Sequence, residues 1–216
     1  SMQEATHVND LESGERRPGT DKDLADMCRL MDALENVSCV GSLITPQDVP
    51  KEIAEWYALA TQIKNTSKNI FAAAMGVGYV KDSIKMGALA AGGEDKFLER
   101  PFIHYAVLTR PPMQIDRLTL EALIELSRYK LPALITMGNI SGVTAPGTLV
   151  GAVVQAHAEF LACLTLSQLI GPGTPTFYGC TTRSMNMRYA TVDMPSPEST
   201  VMRGAQGQMA HFLGVP

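Results

Sequence analysis

The sequence predicts an α/β protein, a parallel β/α barrel of the TIM type with about five βα units visible in this chain. Three observations predict it. Short apolar runs alternate with helical segments, and the runs begin roughly 30 to 40 residues apart, the length of one strand, one helix and two loops. The runs are continuously apolar rather than alternating, as expected of parallel strands covered on both faces. Eight such units need roughly 250 residues, so five strands in 216 residues describe part of a barrel, because five alone cannot close one. The rival is an open doubly wound sheet. Its best glycine-rich turn, Gly76-Val77-Gly78, lacks the third glycine and the acidic residue at the expected distance.

Taken in order, residues 1–19 form a polar N-terminal segment and residues 20–216 the barrel domain. A helix begins near Thr20, because Thr20 and Asp23 have capping-box spacing and Leu24, Met27, Cys28, Met31 and Leu34 share a face. Strands are expected at 37–44, 69–75, 102–108, 132–137 and 174–178. Pro50 opens a second helix to about Ile63, with Ile53, Trp56, Tyr57 and Ala60 inward. Residues 79–91 are helical and closed by Gly92-Gly93. The helix at 118–129 carries Leu120, Leu123, Ile124 and Leu126 in its pattern. A long apolar helix at 148–170 stops at Gly171-Pro172-Gly173, and the last helix, 198–212, stops at Gly214.

Composition narrows the function classes. Hydrophobic residues make up 45% of the chain, enough for a sizeable core. The net charge is −4 and no Lys/Arg-rich block occurs, which argues against a nucleic-acid surface. Cys28, Cys39, Cys163 and Cys180 are scattered, without C-x-x-C pairs or zinc spacing, so they read as reduced thiols of a cytoplasmic protein and no metal site is expected. The polar N-terminus lacks the apolar stretch of a signal peptide. Residues 148–170 include Gln155, His157, Glu159 and Gln168, which are costly in lipid. They are therefore expected to form a nearly fully buried helix, part of it meeting a neighbouring subunit or the rest of the barrel, with no membrane association. Twelve methionines against six Phe, six Tyr and one Trp give an adaptable core or binding surface.

In such a barrel the active site forms from the loops after the strands. Those loops carry Ser42, Thr45 and Gln47; Met75 to Tyr79; Thr109 to Gln114; Gly138 to Pro146; and Tyr178 to Arg188. In the fourth, Gly138, Ser141, Gly142 and Thr144 precede a helix entered at Pro146, and free N–H groups there suit an anion such as a substrate carboxylate. The plainer reading, a tight turn before an ordinary helix, stays open. The fifth loop, about 179–197, carries Met185, Met187 and Met194 beside Arg183, Arg188 and Asp193. It reads either as a lid or docking surface for an apolar ring system or as a mobile solvated loop. Glu159, in the most apolar helix, is read as structural, with Gln155 one turn earlier as a hydrogen-bond partner. His104, His157 and His211 have no matched acid or metal partner, and neither a G-x-S-x-G elbow nor an H-E-x-x-H motif occurs. No catalytic residue is identified.

At the fourth and fifth strands the chain becomes recognisable. Gly142-Val143-Thr144-Ala145-Pro146-Gly147-Thr148-Leu149 resembles the G-A-T-x-P-x-T-L of the trimethylamine methyltransferase family, departing at Val143. Ala158-Glu159-Phe160-Leu161-Ala162 resembles its A-E-x-L-A, and the run from Gln168 to Pro175 its Q-L-x-x-P-G-x-P. Tyr178-Gly179, Met187-Arg188 and Pro197-Glu198 fall where the family has similar pairs. The resemblance covers the chain from about Gly138 onward, and the earlier units agree more loosely. It implies a cytoplasmic β/α barrel that moves a methyl group from trimethylamine, or from a quaternary amine such as glycine betaine, to Co(I). The cobalamin is supplied by a partner corrinoid protein, with no cofactor bound directly by this chain. Some members use pyrrolysine, and none is visible here. A homo-oligomer is expected. Under this resemblance Tyr178, Tyr79 and Tyr105 are candidate faces for the cation. Asn139, Thr181 and Arg188 are candidate polar contacts, and a betaine carboxylate would sit at the 138–146 loop. Two other readings stay open: a catalytically silent barrel fragment acting as a binding or assembly module, and a pterin-dependent barrel methyltransferase with Asn139 at a strand end.

Overall fold

The computed structural model describes residues 5–216. The elements begin with β1 (His7–Asn9), β2 (Arg16–Pro18), α1 (Asp21–Ala33), β3 (Cys39–Gly41), α2 (Ala54–Asn65), β4 (Asn69–Ala73) and α3 (Gly76–Ala91). They continue with α4 (Glu94–Glu99), β5 (Ile103–Leu108), α5 (Arg117–Arg128), β6 (Ala133–Thr136) and β7 (Ile140–Ser141). The last are α6 (Leu149–Ile170), β8 (Thr176–Gly179), β9 (Arg183–Asn186), β10 (Thr191–Asp193) and α7 (Pro197–Leu213). All five expected strands are present. β3, β4, β5, β6 and β8 form one parallel sheet in chain order, alternating with helices, so the protein is α/β. The chain folds as two compact units, Ser1–Ala72 with Lys81–His104, and Ala73–Val80 with Tyr105–Pro216.

In the first unit, β1 and β2 pair as an antiparallel hairpin. The capping box at Thr20 and Asp23 forms as its spacing predicts. Arg17 of the hairpin reaches the same Asp23 carboxylate through two bonds, at 2.6 and 2.8 Å. The guanidinium holds that carboxyl well below the usual carboxylate range. Leu24 and Cys28 of α1, Val40, Ile44 and Ala58 of α2 make the local core. The inward face expected for α2 is corrected: Ala54, Ala58, Leu59, Thr61 and Gln62 are buried, while Ile53 and Tyr57 are 48% and 44% exposed. Small alanines let α2 approach α1 closely, and apolar residues on several sides of a helix do not say which side is covered. After the Gly92-Gly93 stop comes a short helix, α4, where none is expected. Its Phe97 is fully buried and packs edge-on to Phe102, ring centroids 5.3 Å apart.

In the second unit, β5, β6 and β8 set two kinds of rung. Tyr105, Val107, Ala133, Ile135, Met137 and Tyr178 are buried on one face. The other face carries the rungs Ala106–Leu134–Phe177 and Leu108–Thr136–Gly179. It is left partly open: the first three are half-buried and Leu108 is 52% exposed. Gly179 is required where it stands, since a Cβ there would lie 2.6 Å from the Ile135 carbonyl oxygen and 2.8 Å from Thr136 Cα. α7 ends at Gly214 in the left-handed conformation (φ 67). The Tyr178 N–H then donates to the Pro216 carbonyl at 2.8 Å, so the chain after α7 runs beside β8.

Two expectations for this unit are corrected. α6 starts at Leu149, capped by Thr148, and not at Pro146. The residues before it form a tight turn in which the N–H groups of Val143, Thr144 and Ala145 all reach the Ile140 carbonyl. Within this chain only one stripe of α6 is covered, and the face expected to meet a neighbouring subunit or the rest of the barrel points outward. Ala152, Ala156, Glu159, Phe160, Cys163 and Ser167 form its buried stripe, while Val150, Val154, Leu161 and Leu169 face outward. A helix with apolar residues on every side carries no pattern to select the covered stripe. By length and composition alone it is long and apolar enough to cross a membrane, yet its buried stripe contains Glu159. Finally, the fifth loop is not structureless: β9 and β10 pair antiparallel within it, and β9 also pairs with β7.

Candidate functional site

Glu159 sits in the middle of α6 and is 3% exposed. A buried carboxylate is tolerated only when its oxygens are satisfied, and four donors converge on this one. Thr109, the first residue after β5, donates its hydroxyl to Oε2 at 2.7 Å. Oε1 accepts the Met113 N–H at 2.9 Å, Gln155 Nε2 at 3.1 Å and Asn139 Nδ2 at 3.2 Å. Gln155 is the partner that i,i+4 spacing predicts. The others come from the segments that follow β5 and β6. One carboxylate on a covering helix thus holds two strand-end loops of the parallel sheet, the end where β/α proteins place their sites. Its charge also reaches Cys163, one turn on. Burial first, and Glu159 second, push that thiol up to about 11. Asn139 is fully buried, and its Oδ1 has no protein partner.

The residues singled out from the sequence have different neighbours. Tyr178 is on the covered face of β8: its ring lies 4.2 Å from Phe160 and stacks on His157, and its hydroxyl meets His157 Nδ1 at 3.1 Å. Burial, with a smaller contribution from Cys180, raises its phenol pKa. Thr181 donates its hydroxyl to the Met137 carbonyl at 2.6 Å. Arg188 is exposed between β9 and β10, its guanidinium 5.5 Å from the centroid of the Tyr189 ring. Tyr79 is buried in the first turn of α3, and Tyr105 is buried within β5. In the glycine-rich turn, Gly142 (φ 86) donates its N–H to Ala145, and Thr144 Oγ1 accepts the Ile140 N–H. Ser141 donates to the Pro146 carbonyl, and Gly138 follows β6. The N–H groups of residues 142–145 are therefore spent inside the turn.

Two features escaped the sequence reading. The first is the Glu159 hub, whose only local signals are an acid inside an apolar helix and Gln155 four residues before it. The second is Phe177, whose half-buried side chain belongs to the partly open face of β8. Strand alternation puts it on the face opposite Tyr178, but sequence alone does not say which face is open. The fifth segment is pinned by three serines. Ser184 Oγ lies 2.6 Å from Ser196 Oγ and 3.1 Å from Ser199 Oγ, and Ser199 donates to the Asp193 carbonyl at 2.8 Å. Beside it a cavity of about 490 Å³ is lined by residues including Ser141, Leu149, Asn186, Met187 and Glu198. Among the described residues, no group of three or more His, Cys, Asp or Glu is placed to hold a metal ion.

The whole chain, residues 1–216, matches the sequence profile described as trimethylamine methyltransferase (MTTB). It is 32% identical over 213 residues to the trimethylamine methyltransferase MttB of Desulfitobacterium hafniense (strain DSM 10664 / DCB-2), covering 99% of this chain and 43% of that protein. It is 32% identical over 204 residues to the glycine betaine methyltransferase of Desulfitobacterium hafniense (strain Y51), covering 94% of this chain and 43% of that protein. The trimethylamine methyltransferase MttB of Methanosarcina barkeri (strain Fusaro / DSM 804) is 28% identical over 200 residues, covering 91% of this chain and 40% of that protein. The chain spans less than half the length of these curated relatives. Matched from end to end, it belongs to the trimethylamine methyltransferase family.

Proposed function

We propose that this chain is part of a closed parallel β/α barrel, and that the intact protein is an amine methyltransferase. It moves a methyl group from a quaternary amine such as glycine betaine, or from trimethylamine, to the Co(I) cobalamin of a separate corrinoid protein. The observation that carries the reading is a sheet whose strands run in chain order, with polar residues following three of them, in a chain matched throughout by this family. A doubly wound sheet reverses its strand order at a switch point, and this one does not. The partly open face of β5, β6 and β8, and the pairing of Pro216 beside β8, fit a sheet that continues around a barrel.

Reduced cobalamin supplies the nucleophile, so the chain's task is to bind, orient and keep water out. Phe177, with Ala106 and Leu134 on its rung, offers an apolar wall with one aromatic face for a methylammonium group. Glu159 positions Thr109 and Asn139 at the strand ends. Met187, Arg188 and Tyr189, between β9 and β10, are exposed and suit docking of the corrinoid protein. A quaternary amine leaves as a neutral tertiary amine and needs no proton, which fits a site with no assigned acid.

The test incubates the intact protein with Co(I) cobalamin and a panel of methylated amines, following methylcobalamin by its visible spectrum. Conversion is expected with at least one quaternary amine. Phe177→Ala is expected to raise KM several-fold, matching the loss of about 1 kcal/mol of cation–π attraction, whereas Tyr178→Phe leaves KM within twofold. Failure with every amine in the panel sinks the reading.

A further inference from the structure

Where α7 packs on the segment after β8, the fold leaves polar atoms without partners. Thr182 and Gln206 are both fully buried. The Thr182 N–H donates to Gln206 Oε1 at 3.2 Å, which orients the amide: its oxygen faces the backbone, so its NH2 is turned elsewhere. That Nε2 has no acceptor in the protein. Neither does Arg203 Nε, three residues earlier on the same helix, and Thr182 Oγ1 also lacks a partner. Arg203 spends Nη2 on the Met194 carbonyl at 2.6 Å, so that end of the guanidinium is anchored.

Charge points the same way. Arg183, the next residue after Thr182, is half-buried and feels the charge of Arg203. Burial first, and Arg203 second, lower its pKa. Among the described residues neither arginine has an ion-pair partner within 4 Å in this unit. Two like charges drawn partly out of water, with buried N–H groups unspent, are costly as they stand. An anion relieves both costs at once. Arg203 and Gln206 are three residues apart on α7 and so share a helix face. A guanidinium N–H and an amide NH2 on one face suit the two oxygens of a carboxylate, and the Thr182 hydroxyl can add a third donor.

We propose that Arg203, Gln206 and Thr182, with Arg183 as a neighbouring charge, form a binding site for a carboxylate. The carboxylate comes either from a zwitterionic methylated amine or from a free carboxylic acid. Only the first source rests on the methyltransferase reading.

The experiment is titration calorimetry on this chain at fixed ionic strength, chloride balancing each added salt. The probes are glycine betaine, acetate, choline and inorganic phosphate. Saturable binding of acetate, of glycine betaine or of both is expected, with none of choline, which has the same cationic head and no carboxylate. Binding of glycine betaine alone assigns the site to a zwitterion, and equal binding of acetate assigns it to carboxylates at large. Arg203→Met and Gln206→Leu are each expected to weaken binding at least tenfold. Arg203→Lys, which keeps the charge and loses the Nε–H, guards against a variant that fails to fold and should weaken it several-fold. Circular dichroism confirms that each variant tested is folded. No binding beyond chloride would leave water as the partner of these atoms and overturn the proposal. So would preference for phosphate, or unchanged affinity in the folded variants. Carboxylate binding without methyl transfer would leave this site standing and remove the methyltransferase reading, while methyl transfer without carboxylate binding would do the reverse.

Discussion

Replacing Glu159 separates the two ways a buried carboxylate can matter. In Glu159→Gln the amide oxygen can take the place of Oε1 and accept the same three N–H groups, from Met113, Gln155 and Asn139. The amide nitrogen then faces the Thr109 hydroxyl, which turns from donor to acceptor. Only the charge assistance is lost, about 1 kcal/mol. In Glu159→Ala all four donors lose their acceptor. Gln155 and Met113 are partly exposed and reach water, but Thr109 and Asn139 are 3% and 0% exposed and do not. Two orphaned buried donors at about 1–3 kcal/mol each, with the lost side-chain packing, give about 3–5 kcal/mol. The assay is equilibrium urea unfolding followed by far-UV circular dichroism. Tryptophan fluorescence is the wrong probe, because the single tryptophan, Trp56, belongs to the other compact unit. If Glu159→Ala costs under about 1 kcal/mol, or Glu159→Gln costs as much as alanine, the hub described here is not what holds these loops.

Three further outcomes follow from other parts of the chain. Asp23 has a depressed carboxyl pKa, so its contribution is present above the unfolded value of about 4 and is lost as pH falls from there towards the folded value. Asp23→Asn should therefore cost about 1 kcal/mol at pH 7, with the gap to wild type closing below about pH 4; a gap constant down to pH 2.5 contradicts the ion pair. Burial holds Cys28 and Cys163 at about 11, so iodoacetamide at pH 8 should label neither in folded protein and both in urea, read by mass spectrometry. Rapid labelling of native Cys163 would contradict its burial. Gly179→Ala should destabilise by about 2 kcal/mol or more, because its Cβ meets the backbone of β6 and neither strand can give way cheaply. A variant melting at the wild-type temperature refutes that contact.

The sequence by itself determined what depends on a few consecutive residues. The five strands are legible because each is a short apolar run between turn signals. The caps at Thr20 and Gly214 are legible because a cap is made by residues within one turn of one another. The Gln155–Glu159 bond is legible for the same reason. Tertiary structure alone decided which faces are covered. Phe177 and Tyr178 are adjacent aromatics on opposite faces of β8, and only the packing of α6 shows that Tyr178 is the covered one. α2 and α6 are apolar around much of their circumference, so the buried stripe is chosen by the neighbour and not by the pattern. Glu159 gathers Thr109 and Met113 from 50 and 46 residues away, a convergence that no local spacing encodes. Local rules fix dihedral angles and caps, whereas burial is a property of pairs of elements, and which pairs meet is settled only when the sheet has been laid down and the helices have covered it.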